Sequence, residues 1–348
     1  MAFSVCGVHA SELNWPAPKR IDLAPGIVLF VSPDLAGNVD GNSIAILTDR
    51  DTVLFDATLL PATAEAVLQE LRETSPRALR YVVNSHWHPD HSGGNERLAK
   101  TFPELDIIAS RRTRELMEDT AVVYGKTLEF EAALANQEML KELKSGKGPG
   151  GLLLSQTERA QIRTQMTLGS RFLTDFRATQ VKLPTLTFED ALTLHYGGRE
   201  FRFFRLPGNT AGDVALYLPA EKVLLTGDLL VYPVPFCADS HPSDWIASLE
   251  ALSRLEAKII VPGHGDAQRD SAYLNLVLDS FRSIRQQVRD ALHQGLTLKQ
   301  TVQAINLAAI RTQFTHNEPA LNAVFDDNFT PIVSRFYDEL TEGLEQYQ

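Results

Sequence analysis

The chain is 348 residues long, 44 % hydrophobic and 22 % charged, which fits two domains or one large enzyme-sized domain with ample material for a core. No run of about eighteen apolar residues occurs, so a membrane-spanning helix is excluded. Lys plus Arg number 33 against 44 Asp plus Glu, and the resulting charge of −11 lacks the positive field on which nucleic-acid binding usually rests.

Short β-branched runs predict strands at Ile27 to Val31, Ser43 to Thr48 and Thr52 to Phe55. Asp34, Gly37, Asn38, Asp40, Gly41 and Asn42 mark one loop between them, and Asp49 to Asp51 mark a tight turn. Pro61 to Glu73 reads as a helix with Pro61 near its start, and Leu79 to Val83 as another buried strand. From Arg112 to Gln180 the texture turns helical: Leu128, Ala132, Ala135, Met139 and Leu143 step by three or four, as do Ile162, Met166, Leu173 and Phe176 around Gly169. A Gly-rich loop after Ser145 divides the two helices. Strands resume at Thr185 to Phe188, Leu192 to His195, Glu200 to Leu206, Asp213 to Leu218 and Lys222 to Leu225. A helix at Ser243 to Leu255 then leads into a last strand, Lys258 to Val261. The rest is helical, with Val277, Phe281, Ile284, Val288 and Ala291 on one stripe and further starts at Asn317–Pro319 and Thr330–Pro331.

Two cysteines, Cys6 and Cys237, exclude a disulfide framework and a four-cysteine zinc knot, leaving either one pair or two separate thiols. The first thirty residues lack the basic start and apolar centre of a secretory signal. The chain as given therefore favours the cytoplasm, or the periplasm if a leader was removed.

The chemistry concentrates after the strand at Leu79 to Val83, where Asn84-Ser-His-Trp-His-Pro-Asp-His packs His86, His88, Asp90 and His91 into six positions. Imidazoles and carboxylates are the donors that Zn²⁺ and related divalent ions prefer. In an extended turn His86 and His88 point the same way and can grip one ion, while the bend at Pro89 turns Asp90 and His91 toward a neighbouring position. Asp228 and His264 each follow a later hydrophobic strand, in Thr-Gly-Asp and Pro-Gly-His-Gly. Alone each is a turn or core residue; beside the first cluster each is a candidate ligand. His9, His195, His241, His293 and His316 have no such partners.

The His-x-His-x-Asp-His run, the later Gly-Asp and the Pro-Gly-His-Gly together resemble the metallo-β-lactamase superfamily over roughly residues 20 to 268. The resemblance implies an αββα sandwich of two β-sheets flanked by helices, with the site at one edge. It divides the chain into a first sandwich half at 1–111, a helical insertion at 112–184, a second half at 185–268 and a C-terminal helical region at 269–348. It assigns His86 and His88 to a first metal position, Asp90, His91 and His264 to a second, and Asp228 to both. Asp56 would orient a ligand from behind, or it is a strand-end turn residue. Where the superfamily carries a third-motif histidine this chain has Asn209, which implies a first position that holds its ion less tightly than the second. Otherwise Asn209 is an Asn-Thr turn with water completing the coordination.

A divalent ion with an open coordination position makes water nucleophilic near neutral pH and polarises the attacked carbonyl. The resemblance thus implies a metal-dependent hydrolase of a small carbonyl substrate such as a lactone, β-lactam, ester or thioester, with zinc as the cofactor and Fe or Mn as alternatives. Asp90 is placed to handle the proton of that water. Tyr232, four residues after Asp228, is a candidate proton donor or oxyanion stabiliser, or a pocket wall. Trp87, Phe236 and Trp245 are candidate cleft residues, each equally suited to a core. A phosphodiesterase or nuclease would need a cationic groove, for which Arg111, Arg112 and Arg114 are the one tempting cluster. A binding protein with a weakened first metal position is the third reading. The helical segments are expected to shape the pocket or to form a homodimer contact.

Overall fold

A computed structural model describes residues 15–32, 40–75, 77–238 and 240–345. Cys6 and His9, and with them any Cys6–Cys237 pairing, lie outside the described residues; Cys237 itself is buried and has no disulfide partner among the described residues.

The chain folds in four layers. The first sheet takes its strands in sequence order: β1 (Lys19–Ala24), β2 (Ile27–Val31), β3 (Ser43–Leu47), β4 (Thr52–Phe55), β5 (Leu79–Val83), β6 (Asp106–Ser110) and β7 (Leu186–Phe188). β1 to β4 pair antiparallel, whereas β4 to β7 pair parallel. The second sheet runs β12 (Ile259–Val261), β11 (Val223–Leu225), β10 (Val214–Leu218), β9 (Arg199–Arg205) and β8 (Ala191–Tyr196), antiparallel except for β11 beside β12.

Strand periodicity builds the layers. Ile27, Leu29, Ile44, Ile46, Val53 and Phe55 face Phe201, Phe203, Val214 and Leu216 across the sandwich. Their sequence neighbours Val28, Phe30, Ala45 and Leu54 point outward, onto Val67, Leu68 and Leu71 of α1 (Pro61–Thr74) and Leu98 of α3 (Asn95–Thr101). The other sheet's outer face, at Ala215, Tyr217 and Leu224, is covered by α7 (Pro242–Ser253), α8 (Ala272–His293) and α12 (Ile332–Glu345). The stripe Val277, Phe281, Ile284, Val288 and Ala291 forms the buried face of α8.

Between β6 and β7 of the first sheet stand α4 (Arg111–Asp119), α5 (Ala121–Ser145) and α6 (Gln156–Arg177). Gly146, in the left-handed region at φ 71°, ends α5, and a reciprocal Ser155–Glu158 capping box starts α6. The remaining helices are α2 (Pro89–Ser92), α9 (Leu298–Ala304), α10 (Ala308–Thr315) and α11 (Pro319–Val324), with a single π turn at Phe325–Phe329. No described helix is long and apolar enough to cross a membrane.

The topology decides where chemistry can sit. β4, β5, β6, β7, β11 and β12 are the strands with parallel partners, and the loops that follow β4, β5, β11 and β12 carry Asp56, Asn84 to His91, Asp228 and His264. Carboxyl ends of parallel strands are where open α/β sheets collect ligands. Backbone bonds from Val214 N–H to Ser85 O (2.7 Å) and from Asn42 N–H to Gly263 O (2.7 Å) tie the two sheets together at that edge.

Candidate metal centre

The loop after β5 turns immediately into α2, so His86, His88, Asp90 and His91 leave it in close succession. His86 and His88 present Nε2 and Nδ1 to each other at 2.9 Å, with Asp228 Oδ2 3.9 Å from His86 Nε2. On the other side His91 Nε2 stands 3.2 Å from each of His264 Nε2, Asp90 Oδ2 and Asp228 Oδ1. His264 Nε2 is 3.0 Å from Asp90 Oδ2 and 3.5 Å from Asp228 Oδ1. Two bonds of about 2.0–2.1 Å meeting at a tetrahedral angle place their donor atoms about 3.3 Å apart. Both groups, His86–His88–Asp228 and Asp90–His91–Asp228–His264, therefore have the spacing of donors around an ion, and Asp228 gives one oxygen to each.

The outer contacts aim these donors. Asp56 accepts from Ser85 N–H at 2.7 Å and from His91 Nδ1 at 2.9 Å, which leaves His91 Nε2 directed at the cluster. It holds this position at φ 63°, in the left-handed region that a non-glycine residue enters only when its surroundings demand it. Ser85 Oγ sits 2.9 Å from His86 Nδ1 and orients that ring likewise. Asn42 clamps the His264 loop by donating to the carbonyls of Pro262 and Gly265 at 3.0 and 2.9 Å. In the sequence Asn42 marks only a turn, because its partners lie more than two hundred positions away.

Burial favours neutral imidazole at His86, and the neighbouring His91 and His88 add to it, so its pKa falls well below the ordinary value. Burial acts the same way on His91 and His264, but the nearby carboxylates outweigh it, lifting His91 well above that value and His264 to about 10. Burial would raise Asp90 and Asp228, yet the same two imidazoles hold both well below the usual carboxylate range. The arrangement is a cage of buried negative charge that demands cations, as protons or as metal.

Asn209 is fully buried beside this edge; its Nδ2 donates to Phe236 O at 3.0 Å while Oδ1 has no hydrogen-bond partner among the described residues. The loop's shape is held by Asp213, which accepts from Thr210 N–H at 2.9 Å and from Thr210 Oγ1 at 2.5 Å.

Close packing leaves no slack. A Cβ on Gly263 would stand inside the contact radius of Asp228 Oδ1 and of the Gly227 carbonyl carbon. Gly263→Ala is thus expected to displace the carboxylate and lose most bound metal at unchanged circular dichroism; full metal content by elemental analysis would contradict this.

Asp40, next to the site, is buried, with Oδ1 accepting Leu59 N–H at 2.7 Å. Burial pushes it up to about 7. With the folded value above the unfolded one, its contribution is full below about pH 4 and is lost as pH rises through 7. Asp40→Asn should therefore gain stability over the wild type between pH 5 and 8, read from urea midpoints; parallel pH profiles would refute it.

A cavity of about 560 Å³ opens beside the cluster, lined by His88, Asp90, Asp228 and His264 and walled by Tyr232 and Phe236. Tyr124 of α5 enters this wall and lies parallel to the His88 ring, 14° between planes and 5.2 Å between centroids. No sequence signal marked Tyr124, because a lone tyrosine on a helix carries none. The structure does not bring Trp245 to the cleft: it is 0 % exposed in the core under α7, its Nε1 donating to Leu229 O at 3.1 Å. Trp87 lines a neighbouring cavity on the other side of α5, edge-on to Tyr124. Of the two places the sequence allows these tryptophans, cleft or core, both take the buried one. Arg111, Arg112 and Arg114 form no groove, since they pair with Glu189, Glu115 and Glu118.

Comparison with known proteins agrees with this geometry. The model of the metallo-beta-lactamase superfamily matches residues 36–264. A linear primary-alkylsulfatase of Pseudomonas sp. is 25 % identical over 256 residues, 69 % of this chain and 45 % of its own length. A hydroxyacylglutathione hydrolase of Synechococcus sp. is 25 % identical, covering 62 % of this chain and 59 % of its own. An acyl-coenzyme A thioesterase of Homo sapiens is 26 % identical, covering 56 % and 60 %. The chain thus spans about half of these relatives' lengths. Among solved structures, a metallo-beta-lactamase from Pontibacter korlensis superposes with TM-score 0.55 at 19 % identity, over 76 % of this chain and 99 % of that one. The sec-alkylsulfatase Pisa1 from Pseudomonas sp. gives 0.61 at 17 % identity, over 92 % and 50 %. With two sheets in four layers, a His/Asp cluster at their shared edge and a family match across both sheets, the chain belongs to the metallo-beta-lactamase superfamily.

Proposed function

We propose that this chain is a zinc-dependent hydrolase of a small carbonyl substrate, a lactone, β-lactam, ester or thioester. The observation that carries the reading is the convergence of donors from loops of both sheets on Asp228, beside a cavity large enough for a small molecule. The similar proteins named above are hydrolases of sulfate esters and thioesters by their names.

His86, His88 and Asp228 would hold one ion, and Asp90, His91, His264 and Asp228 the other; zinc there would lower the pKa of water and polarise the attacked carbonyl. Asp56 keeps His91 in the tautomer that offers Nε2. Asp90, which has one oxygen in the cluster and also lines the cavity, orients the attacking water and takes its proton. Tyr232, on the cavity wall with its ring against Tyr273 at 5.1 Å, donates to the leaving group or stabilises the oxyanion.

Asn209 is the remaining donor of the first position, supported by its buried Oδ1, which has no hydrogen-bond partner among the described residues. An amide oxygen is a weaker donor than imidazole, so the first ion is held less tightly than the second. Asn209→His, which exchanges an amide oxygen for an imidazole nitrogen, is expected to tighten the second equivalent of zinc by about tenfold or more, at least the scale of losing an outer-shell partner. Equal calorimetric titrations of the two proteins would contradict it.

Turnover of an ester, lactone and thioester panel by the zinc-loaded protein, lost in Asp90→Ala, tests the reading. Faster cleavage of phosphodiesters would favour the nuclease alternative, and no turnover with both positions loaded the binding protein. Exposed Val123, Phe130 and Leu134 on α5 support a homodimer through the helical segments, which sedimentation velocity would show.

A further inference from the structure

We propose that the cavity beside the centre selects an uncharged, aliphatic acyl chain, and that Leu321 closes its far end and sets the length accepted. The proposal rests on the hydrolytic reading above for its substrate, and on the cavity alone for its selectivity.

The cavity is lined by Tyr124 and Leu128 of α5, by Val231 and Phe236, and by Leu321 and Val324 of α11. Among the described lining residues there is no lysine or arginine, and away from the centre Glu131 is the one charge. The phosphates of a coenzyme A tail or the carboxylates of glutathione would enter this space against an acid and with no lysine or arginine among its described lining residues to pair with. A methylene chain meets what it prefers, at about fourfold in affinity per buried CH₂.

The far end is a partition. Tyr232, Pro233 and Leu321 line this cavity and also a second one of about 490 Å³, which runs on toward Tyr273, Leu276 and Phe314. Tyr232 is braced by Tyr273 and Pro233 is held in the backbone, so of the three shared residues Leu321 is the one whose truncation is expected to join the two spaces. In the reaction, water oxygen bonds to the acyl carbon as the acyl C–O bond breaks, and the leaving alcohol takes up a proton. The chain itself stays in the pocket.

The test compares the zinc-loaded wild type with Leu321→Ala and Leu321→Trp on p-nitrophenyl esters from acetate to dodecanoate. Acyl-coenzyme A thioesters and alkyl sulfates of matched length are included. Calorimetry with 2-alkanones, neutral analogues that cannot be hydrolysed, reads chain binding without turnover. The expected kcat/KM climbs about fourfold per methylene to an optimum. That optimum moves up by roughly two carbons or more in Leu321→Ala and down in Leu321→Trp, with ketone affinity following. A flat length profile, a preference for the anionic substrates, or an optimum unmoved in both variants would overturn the proposal. Ketone affinities that follow length and shift with Leu321, in a protein that turns over no ester, would support the pocket assignment while the hydrolytic reading fails.

Discussion

Asp228→Ala is expected to lose both metal positions together and to lower turnover by more than about 100-fold, beyond what removing an outer-shell partner costs. The reason is geometric: its two oxygens serve the two donor groups, one lying 3.9 Å from His86 Nε2 and the other 3.2 Å from His91 Nε2. Without this carboxylate the remaining histidines face one another with less negative charge among them, and neither set is complete. Elemental analysis after dialysis, with circular dichroism as a control for folding, checks the loss. Retention of one equivalent of zinc would show that Asp228 serves a single position.

Trp245→Ala is expected to cost about 3–5 kcal/mol of stability, the range for deleting a large buried aromatic. Trp245 is 0 % exposed, stacks edge-on against Phe281 at 4.9 Å and anchors the turn after Asp228 through Leu229 O. A Cβ on Gly208 would come within 2.6 Å of its ring, so the indole also supports the loop that carries Asn209. Urea denaturation of the metal-free proteins measures the loss directly. A change below about 1 kcal/mol would mean that the site collapses well around the void, contrary to this packing.

The part of the fold that could be read in the sequence is the part whose burial is two-sided or strictly periodic. Thr52–Phe55 and Leu79–Val83 are buried strands bounded by turn residues, and they fall where their β-branched runs place them. β1, Lys-Arg-Ile-Asp-Leu-Ala, escaped because it is an edge strand with three exposed or half-exposed polar residues among its first four. β6 is a five-residue run squeezed between α3 and α4, where helical texture on both sides hides a strand.

The metal-ligand types were legible because their chemistry is carried by residue identity at short spacing. The pocket was not. Leu321 and Tyr124 line one cavity from nearly two hundred positions apart, and nothing local marks either. Trp245 had a local signal that would have placed it correctly: Trp245, Leu249 and Leu252 form an i, i+4, i+7 stripe, and a residue on such a stripe faces the core.

Diffraction from crystals grown with zinc, recorded on both sides of the zinc absorption edge, tests the central claim most directly. The account predicts a strong anomalous peak enclosed by Asp90, His91, Asp228 and His264, with a weaker one beside His86, His88 and Asn209 that strengthens in Asn209→His. Anomalous density elsewhere on the protein, with these side chains closed on one another and no ion among them, would contradict it.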